Sequence, residues 1–318
     1  MRDVTLPGLD VRTSCLGFGC ASLGSRISRA QGLRALARAH DGGVRWFDVA
    51  PAYGAGMAEP ILGDFLKGRR DSLQICTKVG LLPPPQGAAK RLARSLLRPV
   101  VAAAGPLRAA IRKSGVTGNK GVPLTPDLLR SSLERSLQRL GTDHVDVYAL
   151  HNADPADLER DDILRTLEDL VAAGKTRGLG VAGDADAARA ALARGAPFDV
   201  VQLAQPTGAT PAALPQAATD AGLGCVTHTV FGVGDQFADL DRRLRAAPDA
   251  LERLHAAGYE GPSGTAAAAL LLARAFACNP QGVVLASMFS ERSLAGNLAQ
   301  AAAAPDPAAV SLYRDIIE

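Results

Sequence analysis

The sequence contains 318 residues, which is enough for one large domain or for two of ordinary size. Hydrophobic residues make up 47% of it and charged residues 21%, so the chain can build a large core and is not an intrinsically disordered protein. The formal net charge of +3 is too small to predict a nucleic-acid-binding surface.

Predicted strands and helices alternate along almost the whole chain. Two β-prone stretches around Pro7-Gly8 predict an N-terminal β-hairpin over residues 3–13. Short apolar runs then predict eight strands, at Leu16–Cys20, 44–48, 73–78, 145–150, 177–182, 198–203, 224–230 and 282–287. Apolar residues at helical spacing predict helices near 28–42, 57–67, 125–140, 154–174, 184–194, 211–221 and 264–277, and a last helix from Ser290 followed by a short tail after Asn297.

This alternation predicts an α/β protein with a single (β/α)₈ barrel of the TIM type, since eight strand–helix units fit a chain of this length. No Pro/Ser-rich linker divides the sequence, so residues 1–318 are expected to form one domain, with inserts at 81–124 and 231–262 after strands three and seven. The alternative is a doubly wound sheet. The glycine-rich stretch 17–22 argues against it, because this stretch lacks the third glycine of a dinucleotide fingerprint and no helix follows at once.

The insert at 81–124 is strongly basic and contains no acidic residue. Its positive residues are Lys90, Arg91, Arg94, Arg98, Arg108, Arg112, Lys113 and Lys120. On a barrel this segment would lie over the mouth, either as a solvated loop or as a lid that attracts phosphate groups or an acidic substrate. No stacking aromatics are interleaved with the charges, so nucleic acid is not expected as a partner.

The cysteines and the apolar stretches indicate where the protein works. The five cysteines are scattered and none has metal-ligand spacing, which predicts buried free thiols in a reducing compartment and no metal site: Cys15, Cys20, Cys76, Cys225 and Cys278. The N-terminus lacks the apolar core of a signal peptide. The most apolar run, 265–278, is broken by Arg274 and is too short to span a bilayer, so we expect a cytoplasmic protein without a membrane partner.

Three consecutive predicted strands end in residues that can carry chemistry. Strand 44–48 ends in Asp48 and leads to Tyr53 in a Pro/Gly turn, strand 73–78 ends in Lys78, and His151 follows strand 145–150. Each residue alone has an ordinary structural explanation. Together, at strand ends that meet on one face of a barrel, they predict an active site.

Their chemistry suits proton transfer to a carbonyl oxygen that becomes negatively charged. A tyrosine hydroxyl with a pKa near ~10 is a poor acid, and a nearby lysine ammonium lowers that pKa. We therefore expect Tyr53 to be the acid/base, Lys78 to tune it, Asp48 to hold Lys78, and His151 to orient the substrate.

Several stretches resemble the aldo-keto reductase family. They are Asp-x-Ala-Pro-x-Tyr-Gly at 48–54 followed by Glu59 and Leu62-Gly63, then Thr77-Lys78, then Leu-Gly-Thr-Asp-x-Val-Asp at 140–146 with Leu150-His151, and Phe-Asp-Val-Val-Gln at 198–202. The resemblance extends from the hairpin to about residue 297. It implies a (β/α)₈ barrel that binds a nicotinamide dinucleotide without a Rossmann domain and transfers hydride to or from an aldehyde, ketone or sugar lactol. The family's catalytic tetrad falls on Asp48, Tyr53, Lys78 and His151.

The same resemblance implies a set of cofactor-binding residues at the barrel mouth: Gly19, Cys20, Gln202, His228, Thr229, Ser287, Met288, Ser290 and Asn297. His228 stands where the family often stacks a tyrosine on the nicotinamide. Ala182-Gly183 stand where it usually has Ser-Asn to hold the carboxamide.

The resemblance leaves the cofactor and the activity open. Phe289 stands where many relatives place a basic residue against the 2′-phosphate of NADP, and Ser290 and Arg292 are the remaining candidates for that phosphate. The Ser-Met-x-Ser pattern is similar to the branch that contains NAD-using sugar dehydrogenases. NADP(H) is favoured and NAD(H) is the alternative, with a small carbonyl or sugar as the substrate. The alternative functions are a non-catalytic dinucleotide sensor and a non-redox lyase or epimerase. No pattern indicates the oligomeric state.

Overall fold

The computed structural model describes residues 1–83, 120–206, 211–232 and 236–317. Its strands in chain order are β1 (Asp3–Leu6), β2 (Val11–Ser14), β3 (Leu16–Gly19), β4 (Trp46–Asp48), β5 (Gln74–Val79), β6 (Leu81–Leu82), β7 (Lys120–Gly121), β8 (Val145–His151), β9 (Thr176–Gly183), β10 (Val200–Ala204), β11 (Gly224–His228) and β12 (Val283–Ala286). Strands β3, β4, β5, β8, β9, β10, β11 and β12 pair in that order and close into a parallel barrel. The predicted (β/α)₈ fold class is therefore confirmed.

The helices lie outside this barrel and follow its strands. They are α1 (Arg29–Asp41), α2 (Ala58–Leu66), α3 (Pro126–Leu140), α4 (Asp161–Ala172), α5 (Ala185–Arg194), α6 (Ala213–Asp220), α7 (Gln236–Ala246), α8 (Pro248–Ala256), α9 (Ser263–Cys278), α10 (Glu291–Ala302) and α11 (Ala308–Ile317). Their starts follow the expected capping chemistry: Ser28 forms a capping box with Gln31 before α1, and Thr125 accepts a hydrogen bond from Leu128 N–H before α3.

Two regions contain helices whose bounds were not predicted. The segment 231–262 contains the helices α7 and α8, and the supposed tail after Asn297 ends in α11. Helix α11 packs on α9, where the Arg274 guanidinium lies 4.7 Å from the centroid of the Tyr313 ring. No sequence pattern predicted this last helix, because it is held by contacts with α9 that are distant in sequence.

The N-terminal hairpin is present as predicted. Strands β1 and β2 pair antiparallel and are joined by a turn at Pro7–Leu9. The hairpin and its turn contact β9 and β11, and Leu6 lies against Gly224, the first residue of β11. The hairpin therefore lies at the amino-terminal end of the barrel, opposite the mouth.

The barrel interior is filled by side chains from alternate strand positions. Trp46 is fully buried there, two residues before Asp48, and a Cβ at Gly17 would lie 3.0 Å from the indole Cδ1. Because Gly17 has no side chain, the indole of Trp46 can pack against its backbone. Trp46 lies inside the barrel and is not part of the mouth itself.

The basic insert is described only at its base. Strands β6 and β7 pair antiparallel next to β5, and residues 84–119, which include most of the predicted lid, lie outside the described residues. The prediction that 1–318 form one domain remains a prediction. Within the described part of the chain, every helix is too short or too polar to cross a membrane.

Candidate active site

Three adjacent strands and one loop bring together the four side chains predicted to be catalytic. Asp48 ends β4, Lys78 lies one residue before the end of β5, and His151 ends β8. Because the strands are parallel neighbours, their carboxyl ends meet at one mouth of the barrel. Lys78 Nζ lies 5.0 Å from the centroid of the Tyr53 ring, and the Tyr53 and His151 rings meet edge to face at 5.9 Å.

The loop that carries Tyr53 is fixed by its backbone. Tyr53 N–H donates to the Ala50 carbonyl at 3.0 Å, and the turn continues through Gly54 and Ala55 with left-handed φ angles of 59° and 56°. A Cβ at Gly54 would lie only 1.7 Å from the Leu23 carbonyl oxygen. Glycine is therefore required beside Tyr53, and this close contact anchors the loop to the segment after β3.

Lys78 and Asp48 form a buried ion pair beneath Tyr53. Lys78 Nζ donates to Asp48 Oδ1 at 2.6 Å and to the Val49 carbonyl at 3.1 Å, and the two residues are 1% and 2% exposed. Burial acts to lower the pKa of Lys78, but the neighbouring Asp48 carboxylate, helped by Tyr53, raises it above its ordinary value. Lys78 is therefore a cation at neutral pH.

The Tyr53 hydroxyl is a protonated phenol at neutral pH. Burial raises the pKa of Tyr53 to about 12, because the cost of desolvating the phenolate outweighs the effect of Lys78, which lowers it. The sequence correctly predicts the direction of the Lys78 effect but not the net direction, since burial depends on the packed structure. In this state the Tyr53 hydroxyl carries a proton that it can donate, although its raised pKa makes it a weaker acid than a free phenol.

The two histidines at the mouth are neutral. Burial, followed by the charge of Lys78, lowers the pKa of His151 to about 3. Burial also lowers the pKa of His228, although the Asp48 carboxylate opposes this shift. His151 can therefore hydrogen-bond a nearby oxygen without a charge of its own.

The buried His151 makes a testable contribution to acid sensitivity. Its folded-state pKa of about 3 lies below the ordinary value of 6.5, so the unfolded chain binds more protons between these values and stability falls as the pH falls through this range. We expect His151→Gln to unfold with a weaker pH dependence than the wild type in urea titrations between about pH 4 and 7. His255→Gln, which alters an exposed histidine on α8, is the matched control, and it should change the pH dependence less than His151→Gln does.

The predicted cofactor residues before β12 surround the same mouth. Gly19 ends β3, and Cys20 is fully buried with its N–H donating to the Asp48 carbonyl at 2.9 Å. Gln202 in β10 points into the barrel, where its Oε1 lies 3.9 Å from the Cys76 thiol. His228 ends β11, and its Nδ1 lies 2.6 Å from Thr229 Oγ1.

The segment after β12 offers polar groups suited to a phosphate or another anion. Ser290 caps α10 by accepting a hydrogen bond from Ser293 N–H at 3.1 Å, and Asn297 is buried with an Nδ2 that contacts no acceptor in the described part of the chain. Ser287 is exposed, whereas Met288 is 1% exposed, as a core residue is. The first turn of α10 and the unused Asn297 donor thus fit the anionic part of a dinucleotide.

Two groups at the site were not assigned from the sequence. The Val49 carbonyl receives the second hydrogen bond of Lys78, and backbone acceptors leave no signal in a sequence. Cys76 lies two residues before Lys78 and therefore faces the same interior, and burial raises the pKa of its thiol. Period-two alternation along β5 could have identified Cys76.

The chain is similar to known proteins over most of its length. The model of the aldo/keto reductase family matches residues 15–304. The chain belongs to the aldo/keto reductase family. It is 30% identical to a D-threo-aldose 1-dehydrogenase from Pseudomonas sp over 69% of this chain and 66% of that protein, and 29% identical to an NADH-specific methylglyoxal reductase from Escherichia coli over 63% and 55%. The matched part therefore spans about half to two thirds of these relatives' length.

A solved structure has the same fold. An aldo-keto reductase from Klebsiella pneumoniae in complex with NADPH superposes with a TM-score of 0.68 at 21% identity, covering 99% of this chain and 95% of that one. Within this aldo/keto reductase, Ala182 and Gly183 end β9 at the predicted carboxamide position, and neither has a polar side chain.

Proposed function

We propose that this aldo/keto reductase transfers hydride between a nicotinamide dinucleotide and the carbon of a small carbonyl or alcohol, with Tyr53 as the general acid/base. The observation that carries the proposal is the Asp48–Lys78 pair, buried directly beneath Tyr53 with His151 beside the ring. Structural needs alone rarely explain a lysine that is 1% exposed and lies next to a phenol, as Lys78 lies next to Tyr53.

Each side chain has a distinct task in this proposal. The bound dinucleotide supplies or accepts the hydride. Tyr53 gives its proton to the oxygen that becomes negative, and Lys78 stabilises the phenolate that remains. Asp48 holds Lys78 in place, and neutral His151 hydrogen-bonds the same substrate oxygen. In the oxidative direction Tyr53 must first lose its proton, which its raised pKa opposes at neutral pH.

Aldehydes, ketones and sugar lactols are the proposed substrates. The match to an aldose dehydrogenase and to a methylglyoxal reductase supports this range. NADP(H) is the favoured cofactor because the neighbouring Klebsiella structure holds NADPH, and NAD(H) is the alternative because one relative is NADH-specific.

Arg292 is the residue that we expect to distinguish the two cofactors. It lies in the first turn of α10, is exposed, and donates to Thr265 Oγ1. If it also pairs with a 2′-phosphate, Arg292→Ala should raise the Kd for NADPH about tenfold and leave the Kd for NADH unchanged. Calorimetry with both nucleotides measures this, with Thr265→Val as the control that keeps the charge. Equal effects on both nucleotides would contradict the assignment.

The single tryptophan allows a direct test of cofactor binding. Trp46 lies inside the barrel two residues from Asp48, so a reduced nicotinamide at the mouth should quench its emission by energy transfer. We expect saturable quenching by NADPH, and a screen of aldehydes, ketones and aldoses should then show cofactor oxidation that Tyr53→Phe abolishes. Quenching without turnover of any substrate would instead indicate a dinucleotide sensor. No binding of either nucleotide by fluorescence and calorimetry would contradict the proposal.

A further inference from the structure

A buried carboxylate outside the tetrad links three elements around the active site. Glu59, in the first turn of α2, is 1% exposed. Its Oε1 accepts a hydrogen bond from Thr77 Oγ1 at 2.7 Å, and its Oε2 accepts one from Arg139 Nε at 2.6 Å. Both carboxylate oxygens are thus satisfied, one by strand β5 and the other by helix α3.

The two ends of this network adjoin the catalytic residues. Thr77 immediately precedes Lys78 in β5, and Glu59 follows Tyr53 by six residues, across the short turn Tyr53–Gly56 and the start of α2. Helices α2 and α3 approach each other closely here. A Cβ at Gly63 in α2 would lie only 2.5 Å from the carbonyl oxygen of Arg139 in α3. Glu59 therefore connects the segment that carries Tyr53 to the strand that carries Lys78.

We propose that Glu59 is a positioning residue that holds Tyr53 at its working distance from Lys78. This inference rests on the proposed function of Tyr53 as acid/base. The loop is anchored at its front by the contact of Gly54 with Leu23, and Glu59 provides the anchor at its rear. Loss of the rear anchor frees Tyr53 to move away from Lys78, and displacements of this kind reduce turnover more than substrate binding.

The expected effect on Tyr53 is a shift of its pKa. After burial, which raises this pKa most, the titratable groups that act on the phenol are Lys78, which lowers it, and Asp48 and Cys76, which raise it, with the His151 ring 5.9 Å away. As long as the ring stays buried, a larger distance from Lys78 raises the pKa of Tyr53. If Tyr53 did not move, loss of the negative charge of Glu59 would act through space and lower the pKa of Tyr53 instead. Displacement of the ring and loss of the charge therefore predict opposite shifts.

The same strands provide a matched control at the far end of the barrel. Asp146 in β8 is also 1% exposed, and its Oδ2 accepts hydrogen bonds from Arg70 at 2.9 Å and from Ile75 N–H at 2.8 Å. It ties β8 to β5 near the amino end of β5, whereas Thr77 lies at the carboxyl end. Asp146→Asn therefore weakens a similar network without touching the mouth.

The test compares Glu59→Gln, Thr77→Val and Asp146→Asn with the wild type. The first two variants should lower kcat about tenfold and change KM less than about twofold, while Asp146→Asn should lower the Tm and leave kcat within about twofold. In protein labelled with 3-fluorotyrosine, whose signal at position 53 is assigned with Tyr53→Phe, Glu59→Gln should shift the titration of that ring upward by about 0.5 to 1 pH unit.

The outcomes separate this inference from the proposed function. An unchanged fluorine titration in Glu59→Gln overturns the positioning role whether or not the enzyme is active. A downward shift in Glu59→Gln that Thr77→Val does not share also overturns it, because Thr77→Val removes the hydrogen bond but keeps the charge of Glu59. An upward shift in Glu59→Gln and none in Asp146→Asn supports it even if no substrate has been found. If the wild type turns over no carbonyl or sugar, the proposed function fails, and the fluorine measurement still decides the role of Glu59.

Discussion

Replacement of Tyr53 by phenylalanine is expected to lower kcat for carbonyl reduction by about 10²- to 10⁴-fold, the usual contribution of a positioned general acid. The ring, its edge contact with His151 and the packing of the turn remain, so only the transferable proton is lost. In this variant the Lys78 cation has no phenol beside it. Neutral His151, whose pKa is about 3, is a poor substitute for Tyr53 as the proton donor. Steady-state and single-turnover kinetics measure the loss.

A second buried tyrosine provides the control for this variant. Tyr148 in β8 is fully buried but faces helix α3, where its hydroxyl donates to the Leu129 carbonyl at 2.9 Å. Tyr148→Phe should cost about 1 kcal/mol of unfolding free energy and leave kcat within about twofold. Nucleotide binding should be unchanged in both variants. Comparable losses of kcat in both would mean that Tyr53 acts through stability and is not the acid.

The arrangement of the tetrad could be predicted from the sequence because it depends on short-range patterns. Asp48, Lys78 and His151 each end an apolar run, and a parallel barrel places the carboxyl ends of its strands at one mouth. The barrel prediction needed only the alternation of strands and helices. Both steps use information carried by consecutive residues.

The remaining features depend on packing between distant parts of the chain. The net pKa of Tyr53 is raised because of burial, which no local pattern specifies. The Glu59 network joins positions 59, 77 and 139, and helix α11 is held against α9 by contacts such as that of Tyr313 with Arg274. The cofactor-binding roles of the residues after β12 also stay predictions, since they require a bound nucleotide to test.

Replacement of Lys78 by methionine is expected to impair stability and activity together. It leaves the Asp48 carboxylate, which is 2% exposed, without its cationic partner in the barrel. Breaking one half of a buried pair in this way typically costs about 3 to 5 kcal/mol. Activity should fall as well, because the phenolate of Tyr53 then has no positive charge beside it. Urea unfolding and kcat are the measurements.

The double variant Asp48→Asn/Lys78→Met separates the two effects. With both charges gone, neither is buried alone, so most of the lost unfolding free energy should return and the double-mutant cycle should show coupling of about 2 to 3 kcal/mol. Activity should stay as low as in Lys78→Met, because the charge near Tyr53 is still missing. On the alkaline side, the wild-type pair should weaken only in strong alkali, since the raised pKa of Lys78 keeps the ammonium charged up to high pH. If the double variant regained turnover together with stability, Lys78 would have a structural role only. A stable but inactive double variant would instead assign the buried pair to the chemistry of Tyr53.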